Sequence, residues 1–359
     1  MNEINPWKSF EVKDYDKIIS QFGIERLDPS KLSKKHHYFT RGIVFGHKSL
    51  QIVLETIKNK KPFIMMTGLM PSGRFHFGHK IIADLMVYFQ ELGAECYIAV
   101  ADVESYLTRD ISLENAKKTA IEEYLTNYVA LGLKPKKNKF YFQSNGSADY
   151  NNLSKFVSKK TTYNELKAIY GEITPEKMIS AFTQVADILH PQLKENNGPK
   201  PVIVPVGVDQ LPHINLTRDI ANRMKSEYNF ILPAAIFIKL MPGLKGGKMS
   251  SSDPDSAIFL TDTPEEVDRK IKKYAFSGGQ DTIEKHRKFG GNPDIDVSYQ
   301  WLTFLEEDDK KLRQIHDDYK SGKLLTSELK EILIQKINKF LKEHHKNREK
   351  AKKQINSFL

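Results

Sequence analysis

The chain has 359 residues, enough for two or three domains with a sizeable core, and 55 Lys and Arg against 45 Asp and Glu give a formal charge of +10 and a pI near 9.2. That balance suits a polyanionic partner, although a Lys-rich surface is also simply well solvated. Cys96 stands alone, which excludes an intrachain disulfide and a multi-cysteine zinc site, and no apolar run is long enough to span a bilayer, so a cytoplasmic protein without a membrane anchor is expected.

Residues 1–61 read as a polar appendage interrupted by Pro6 and Pro29, with a basic and aromatic patch at Lys34, Lys35, His36, His37, Tyr38, Phe39, Thr40 and Arg41. The patch suits nucleic-acid contact or a lid, and equally an ordinary polar surface. Ile43 to Phe45 has strand character if it finds a partner, and Ser49 to Lys58 has helical character.

Phe63 to Thr67 is a compact apolar run ended by Gly68, and the spacing of Ile82, Leu85, Met86, Phe89 and Leu92 predicts a helix that Gly93 stops. Strand and helix make half of a βαβ unit. Between them lie Pro71, Ser72, Gly73 and the tetrad His76-Phe77-Gly78-His79. The unpaired N–H groups and dipole of a helix start favour an anion. Neutral imidazoles donate hydrogen bonds to phosphate or ribose, and Gly78 admits a flat ring close to the backbone. The tetrad reads as a nucleotide site, with helix caps or metal ligands as the alternatives.

Ala94 to Ala101 predicts a second buried strand ending at Asp102-Val103-Glu104, where carboxylates stand at the rim that binds ligands in open α/β sheets. Ser112 caps a helix running through Ile121, Leu125, Val129 and Leu131 to Gly132. Residues 138–197 read as alternating helices and loops. Within them Gln184 and Asp187 share one helical face among apolar neighbours, either solvated or turned to a ligand. Pro201 to Val206 predicts a third strand, buried on both faces, which runs into Gly207-Val208-Asp209-Gln210. A fourth, Ala234 to Leu240, leads into a donor-rich loop from Met241 to Pro254. That loop is no P-loop, because Met249 follows Lys248 where Ser or Thr is required and Pro242 stands where the first Gly belongs. From about Ala257 the pattern is helical, and the last 39 residues hold ten Lys or Arg against four acids.

The His76–His79 tetrad, the Gly207–Gln210 turn and the Lys248–Ser252 loop, in that order on successive strand ends, resemble the class I aminoacyl-tRNA synthetases. Residues 275–284, 289–292, 212–219 and 36–45 extend the likeness, over nearly the whole chain, to the archaeal and eukaryotic tryptophanyl type. The resemblance implies an α/β fold with a Rossmann-like parallel-sheet catalytic domain at 62–256. Into it a helical dimerisation segment is inserted at about 108–197, and a helical anticodon-binding domain follows at 257–359. It implies ATP with Mg2+, no resident metal site, L-tryptophan and tRNA(Trp) as partners, and a homodimer.

In the same resemblance His76 and His79 serve the phosphates and ribose, Gly78 underlies the adenine, and Lys248 closes over the departing pyrophosphate with Ser250 and Ser252 in support. Gly68, Pro71, Ser72, Gly73, Phe77, Asp209 and Met249 complete the ATP site. Met66, Glu104, Gln184, Asp187 and Gln210 would bind tryptophan. Two departures stand out. Ser251 replaces the second lysine of the Lys-Met-Ser-Lys-Ser motif, leaving its work to a residue such as Lys245. Met66 and Ala99 stand where the eukaryotic enzymes place a Tyr and a Gln against the indole, so Asp187 is the expected indole acceptor, because Val185-Ala186-Asp187-Ile188-Leu189 resembles the bacterial tryptophan enzymes. The rival readings are a tyrosyl enzyme, a non-catalytic tRNA-binding paralogue and a small adenylyltransferase.

Overall fold

The computed structural model describes residues 14–251 and 253–359. Ser252, expected in the phosphate loop, lies outside them, as does the beginning of the 1–61 segment. Seven strands form one sheet: β1 (Glu25–Arg26), β2 (Val44–Lys48), β3 (Ile64–Leu69), β4 (Glu95–Val100), β5 (Asn138–Phe142), β6 (Val202–Gly207) and β7 (Ala234–Ile238). Their spatial order is β1-β2-β7-β6-β3-β4-β5. The five strands from β7 to β5 run parallel, while β1 and β2 are antiparallel.

Both faces of the parallel part are covered, as apolar runs without a polar side require. Successive side chains point to opposite faces. Met65, Cys96, Ile98, Val100, Ile203 and Ile236 therefore join one core cluster, and Ile64, Met66, Tyr97, Ala99, Val204 and Phe237 another. From β3 the chain builds outward through β4 to β5, then returns to place β6 on β3's other side. The order reverses between β3 and β6, and the crevice beyond their C-terminal ends is where such sheets bind ligands.

Six helices matter for the site: α1 (Phe77–Glu91), α2 (Asp102–Arg109), α3 (Ala148–Lys159), α4 (Pro175–Leu189), α5 (Val297–Leu305) and α6 (Thr326–Lys352). Of the apolar face expected for α1, Leu85, Met86 and Phe89 are buried and Ile82 and Leu92 are half-buried, Ile82 turning to that crevice, while Ile81 joins the core beside them. Ser112 caps its helix as expected, accepting from Asn115 N at 3.2 Å.

Two expectations fail. Part of the presumed appendage belongs to the sheet, since β2 pairs with β7 and β1 with β2. Its basic patch is divided: Lys34, Lys35 and Thr40 are exposed, whereas Tyr38 and Phe39 are buried, Tyr38 OH donates to Asp84 at 2.6 Å, and Arg41 Nε donates to Asp309 at 2.7 Å. Arg41 also reaches the Thr303 carbonyl at 2.9 Å, so the patch clasps the C-terminal helices. The inserted segment 108–197 is not purely helical either, because β5 pairs in parallel with β4 along its whole length.

The C-terminal helices are tied to the loops that follow β3 and β7. Trp301 on α5 is fully buried, lies 5.6 Å from the Phe77 ring, and donates its indole N–H to the Pro242 carbonyl at 2.8 Å. Trp301→Phe removes that donor and part of the ring, and is expected to cost about 1–2 kcal/mol, read as a lowered urea midpoint with an unchanged slope.

Candidate active site

A cavity of about 830 Å3 opens at the sheet's reversal point, between Met66–Met70 at the end of β3 and Val204–Gly207 at the end of β6. Its walls bring together the expected residues Met66, Gly68, Glu104, Gln184, Asp187, Gln210, Lys248, Met249 and Ser250. Arg109 and Lys177, which the sequence reading did not single out, line it as well.

At one side the tetrad opens α1. The His76 Nδ1 accepts from Gly78 N at 3.1 Å, and the His79 Nδ1 accepts from His76 N at 3.2 Å, a reciprocal cap of the helix start. Both Nδ1 atoms are used as acceptors, so each neutral ring carries its proton on Nε2 and can donate only from there. The rings stack with centroids 3.7 Å apart. Burial, opposed by a backbone hydrogen bond and reinforced by the Lys248 charge, pulls His76 down to about 4. Burial, then His76 and Lys248, holds His79 well below the usual imidazole range. The cap and the nucleotide readings are thus compatible: one nitrogen of each ring builds the helix end and the other remains a donor. Because both rings stay neutral, binding of a nucleotide here, measured by isothermal titration, is expected to stay within about twofold between about pH 8 and 6.

The second loop folds against the first. The segment after it pairs with the strand-like lead into α1, Leu260 N donating to Phe75 O at 2.9 Å and His76 bridging Phe259. A Cβ on Gly73 would lie 2.8 Å from Ser251 Cβ, and one on Gly78 would lie 2.9 Å from His76 Cε1 with Met249 Sδ at 3.9 Å. The loops touch through these glycines, and a side chain at 78 would displace the stacked imidazole. Ser251 Oγ donates to Arg74 O at 3.1 Å. Lys248 Nζ lies 3.5 Å from Asp209 Oδ2, with the lysine half exposed and the aspartate buried. Lys245, the suggested substitute for the missing lysine, is instead paired with Asp253 at 2.9 Å.

Eight expected residues are outside the cavity wall: Gly73, His76, Gly78, His79 and Asp209, in the turns and helix start, and Pro71, Ser72 and Phe77. Phe77 turns its ring away from the cavity into the core, against Trp301 and Phe340 at 5.6 and 5.5 Å, because the first position of α1 faces the C-terminal helices. Pro71 is buried and Ser72 exposed beside the loop, neither in the cavity wall.

At the other side, Asp187 on α4 is buried and accepts from Gln143 Nε2 at 2.7 Å, Tyr150 OH at 2.8 Å and Tyr141 OH at 3.4 Å. Burial, opposed by these hydrogen bonds and aided by the Glu104 charge, raises it to about 7. Burial also raises Glu104, against a hydrogen bond from Ser180 and the Arg109 charge. Gln184 Nε2 donates to Gln210 Oε1 at 3.3 Å. Tyr141 and Gln143 escaped the sequence reading because β5 was not recognised as a strand, and Tyr150, on α3, because nothing in its own segment marks the face it presents. The available signal was the aromatic run Phe140-Tyr141-Phe142, whose alternation suits a strand.

A chain that grips a carboxylate-lined pocket and a donor-rich, cationic one in the same cavity can hold an amino acid and a phosphate ester side by side. The sequence pattern of the tRNA synthetases class I (W and Y) matches residues 58–342. The tryptophan–tRNA ligase of Methanocaldococcus jannaschii is 44% identical over 98% of this chain and 96% of its own length. A crystal structure of the tryptophanyl-tRNA synthetase of Aeropyrum pernix superposes with a TM-score of 0.92 at 42% identity, covering 99% of this chain and 98% of that one. That of Encephalitozoon cuniculi bound to tryptophan gives 0.85 at 29% identity, covering 97% and 98%. The chain belongs to the class I tRNA synthetases (W and Y), in their archaeal and eukaryotic tryptophanyl branch.

Proposed function

We propose that the chain activates L-tryptophan with ATP and transfers it to tRNA(Trp). The observation that carries this reading is one cavity whose wall holds Glu104, Gln184, Asp187 and Gln210 together with Lys248 and Ser250. A tryptophan carboxylate oxygen attacks the α-phosphorus, the bond to pyrophosphate breaks, and a ribose hydroxyl of the tRNA terminus then displaces AMP from the acyl carbon. In this reading the Nε2–H groups of His76 and His79 donate to the triphosphate, and Lys248 leaves Asp209 to follow the charge onto the departing pyrophosphate. Glu104, Gln184 and Gln210 take the substrate ammonium, and Asp187 the indole N–H. Magnesium would enter with ATP and neutralise charge on its phosphates.

The C-terminal helices from 257 onward would read the anticodon, and the insert 108–197 would form a homodimer through Phe156, Tyr163 and Ile179, whose side chains are exposed. A cytoplasmic site of action follows from the tRNA partner. Exchange of pyrophosphate into ATP should require tryptophan and ignore tyrosine; tyrosine alone supporting exchange overturns the assignment. A monomer in sedimentation at micromolar concentration removes the dimer.

A further inference from the structure

Gln143 occupies a place that no role above requires. It follows the last residue of β5, is 4% exposed, and its side chain has two ends in use. Nε2 donates to Asp187 Oδ2 at 2.7 Å, and Oε1 accepts from the backbone N–H of Glu104 at 3.4 Å. One amide therefore bridges the carboxylate at the indole end of the pocket and the backbone of the carboxylate at the ammonium end. The two acids lie on different elements, Asp187 on α4 and Glu104 on α2, and Gln143 alone bonds to both among the described residues.

We propose that Gln143 is a specificity-determining positioning residue: it fixes the separation of the indole and ammonium acceptors, and so the length of amino acid that both can grip. This rests on the tryptophan reading of the cavity. The chemistry suits the task. A primary amide offers a donor at one end and an acceptor at the other, in a rigid plane. The donor end meets a carboxylate, where a hydrogen bond is strong and directional. Tyr150 and Tyr141 hold the other Asp187 oxygen at 2.8 and 3.4 Å, so removing Gln143 frees Oδ2 and lets the carboxylate turn about that held oxygen rather than leave. The backbone at this place has its own anchor, because Ser144 N donates to Asp102 Oδ1 at 3.1 Å and Ser144 Oγ donates to Asp102 Oδ2. A side-chain change at 143 therefore leaves the end of β5 in place.

Three full-length proteins test this: wild type, Gln143→Leu and Gln143→Glu, each assayed by amino-acid-dependent pyrophosphate exchange. Gln143→Leu keeps the volume and loses both bonds. The KM for tryptophan is expected to rise about tenfold with kcat less affected, while the KM for ATP stays within about twofold. Preference for tryptophan over 3-benzothienylalanine, which has sulfur in place of the indole N–H, should fall several-fold. Gln143→Glu sets two carboxylates against each other at about pH 8, and at about pH 6 a shared proton restores an O–H donor to Asp187. Its KM for tryptophan should therefore fall on acidification, a slope that a merely structural role would not produce. Unchanged tryptophan KM and unchanged N–H discrimination in Gln143→Leu would overturn the proposal, as would equal increases in both substrates' KM. A wild type without tryptophan-dependent exchange would overturn the functional reading, and this inference with it.

Discussion

Lys248→Ala should lower kcat for tryptophan-dependent pyrophosphate exchange by about 10²- to 10³-fold, the range seen when one preorganised stabiliser of developing charge is removed. Tryptophan binding in the absence of ATP should be unchanged. The reason lies in where the ammonium rests. It projects from a loop that Gly246 and Gly247 turn with φ of +82° and +68°, and it lies 3.5 Å from Asp209 Oδ2 while half exposed. A resting ion pair so exposed is worth little, so leaving it costs little. The partner changes as charge builds on the departing pyrophosphate, and the interaction is then stronger in the transition state than in the ground state. A fall in kcat with KM for tryptophan preserved is the signature of such a group. Full activity in Lys248→Ala would refute the role assigned to the loop.

Asp209 adds a constraint on that exchange. A Cβ on Gly207 would lie 2.4 Å from Asp209 Oδ1, so the turn after β6 lets the carboxylate fold back over its own strand end. Gln210 Nε2 also donates to Asp209 Oδ2 at 3.4 Å, and Gln184 Nε2 to Gln210 Oε1. The amide chain from α4 through Gln210 to Asp209 thus runs from the amino-acid end of the cavity to the resting lysine. In the proposed reading the two substrates' subsites would share hydrogen bonds.

Strands β3, β4, β6 and β7 were legible because burial on both faces writes them as unbroken apolar runs, and α1 because its stripe recurs at helical spacing. β5 was not, since an edge strand has fewer neighbours to cover it: of its five residues only Phe140 is buried, and Lys139 and Asn138 look like turn residues. Missing β5 hid Gln143 and Tyr141 with it. The pairing of β2 with β7 was equally hidden, because antiparallel addition from the far N-terminal end depends on where β7 lies and not on anything within Ile43 to Phe45. Phe77 shows the opposite failure. Its position inside a nucleotide motif suggested ligand contact, whereas a large apolar residue at that turn of α1 has the stronger demand of packing on Trp301. Glu104 and Asp187 stood out because a carboxylate among apolar neighbours is costly to bury, and the structure brings both into one cavity wall with Lys248.

Asp187→Asn should lower kcat/KM for tryptophan by about 10²-fold while leaving the KM for ATP alone, since a buried charged acceptor and the donors around it are disrupted together. The carboxylate accepts from Gln143, Tyr150 and Tyr141, and an Asn must turn its NH2 toward one of those donors. Acidity separates this from general damage. Burial raises Asp187 to about 7, so between about pH 8 and 6 the wild type takes up a proton there and loses the charge that strengthens the indole bond. Tryptophan affinity should weaken on acidification in the wild type and stay level in Asp187→Asn. The stability effect has the other sign. A folded-state pKa above the unfolded carboxylate value means the folded state binds more protons between about pH 4 and 7, so this group's contribution to stability falls as pH rises through that window. The difference in urea midpoint between wild type and Asp187→Asn should therefore shift against the wild type as pH rises, with the buried histidines cancelling in the comparison. Binding and stability moving in opposite directions over one pH interval is what a carboxylate held ionised for its substrate requires. A pH-independent tryptophan affinity in the wild type would remove Asp187 from the indole.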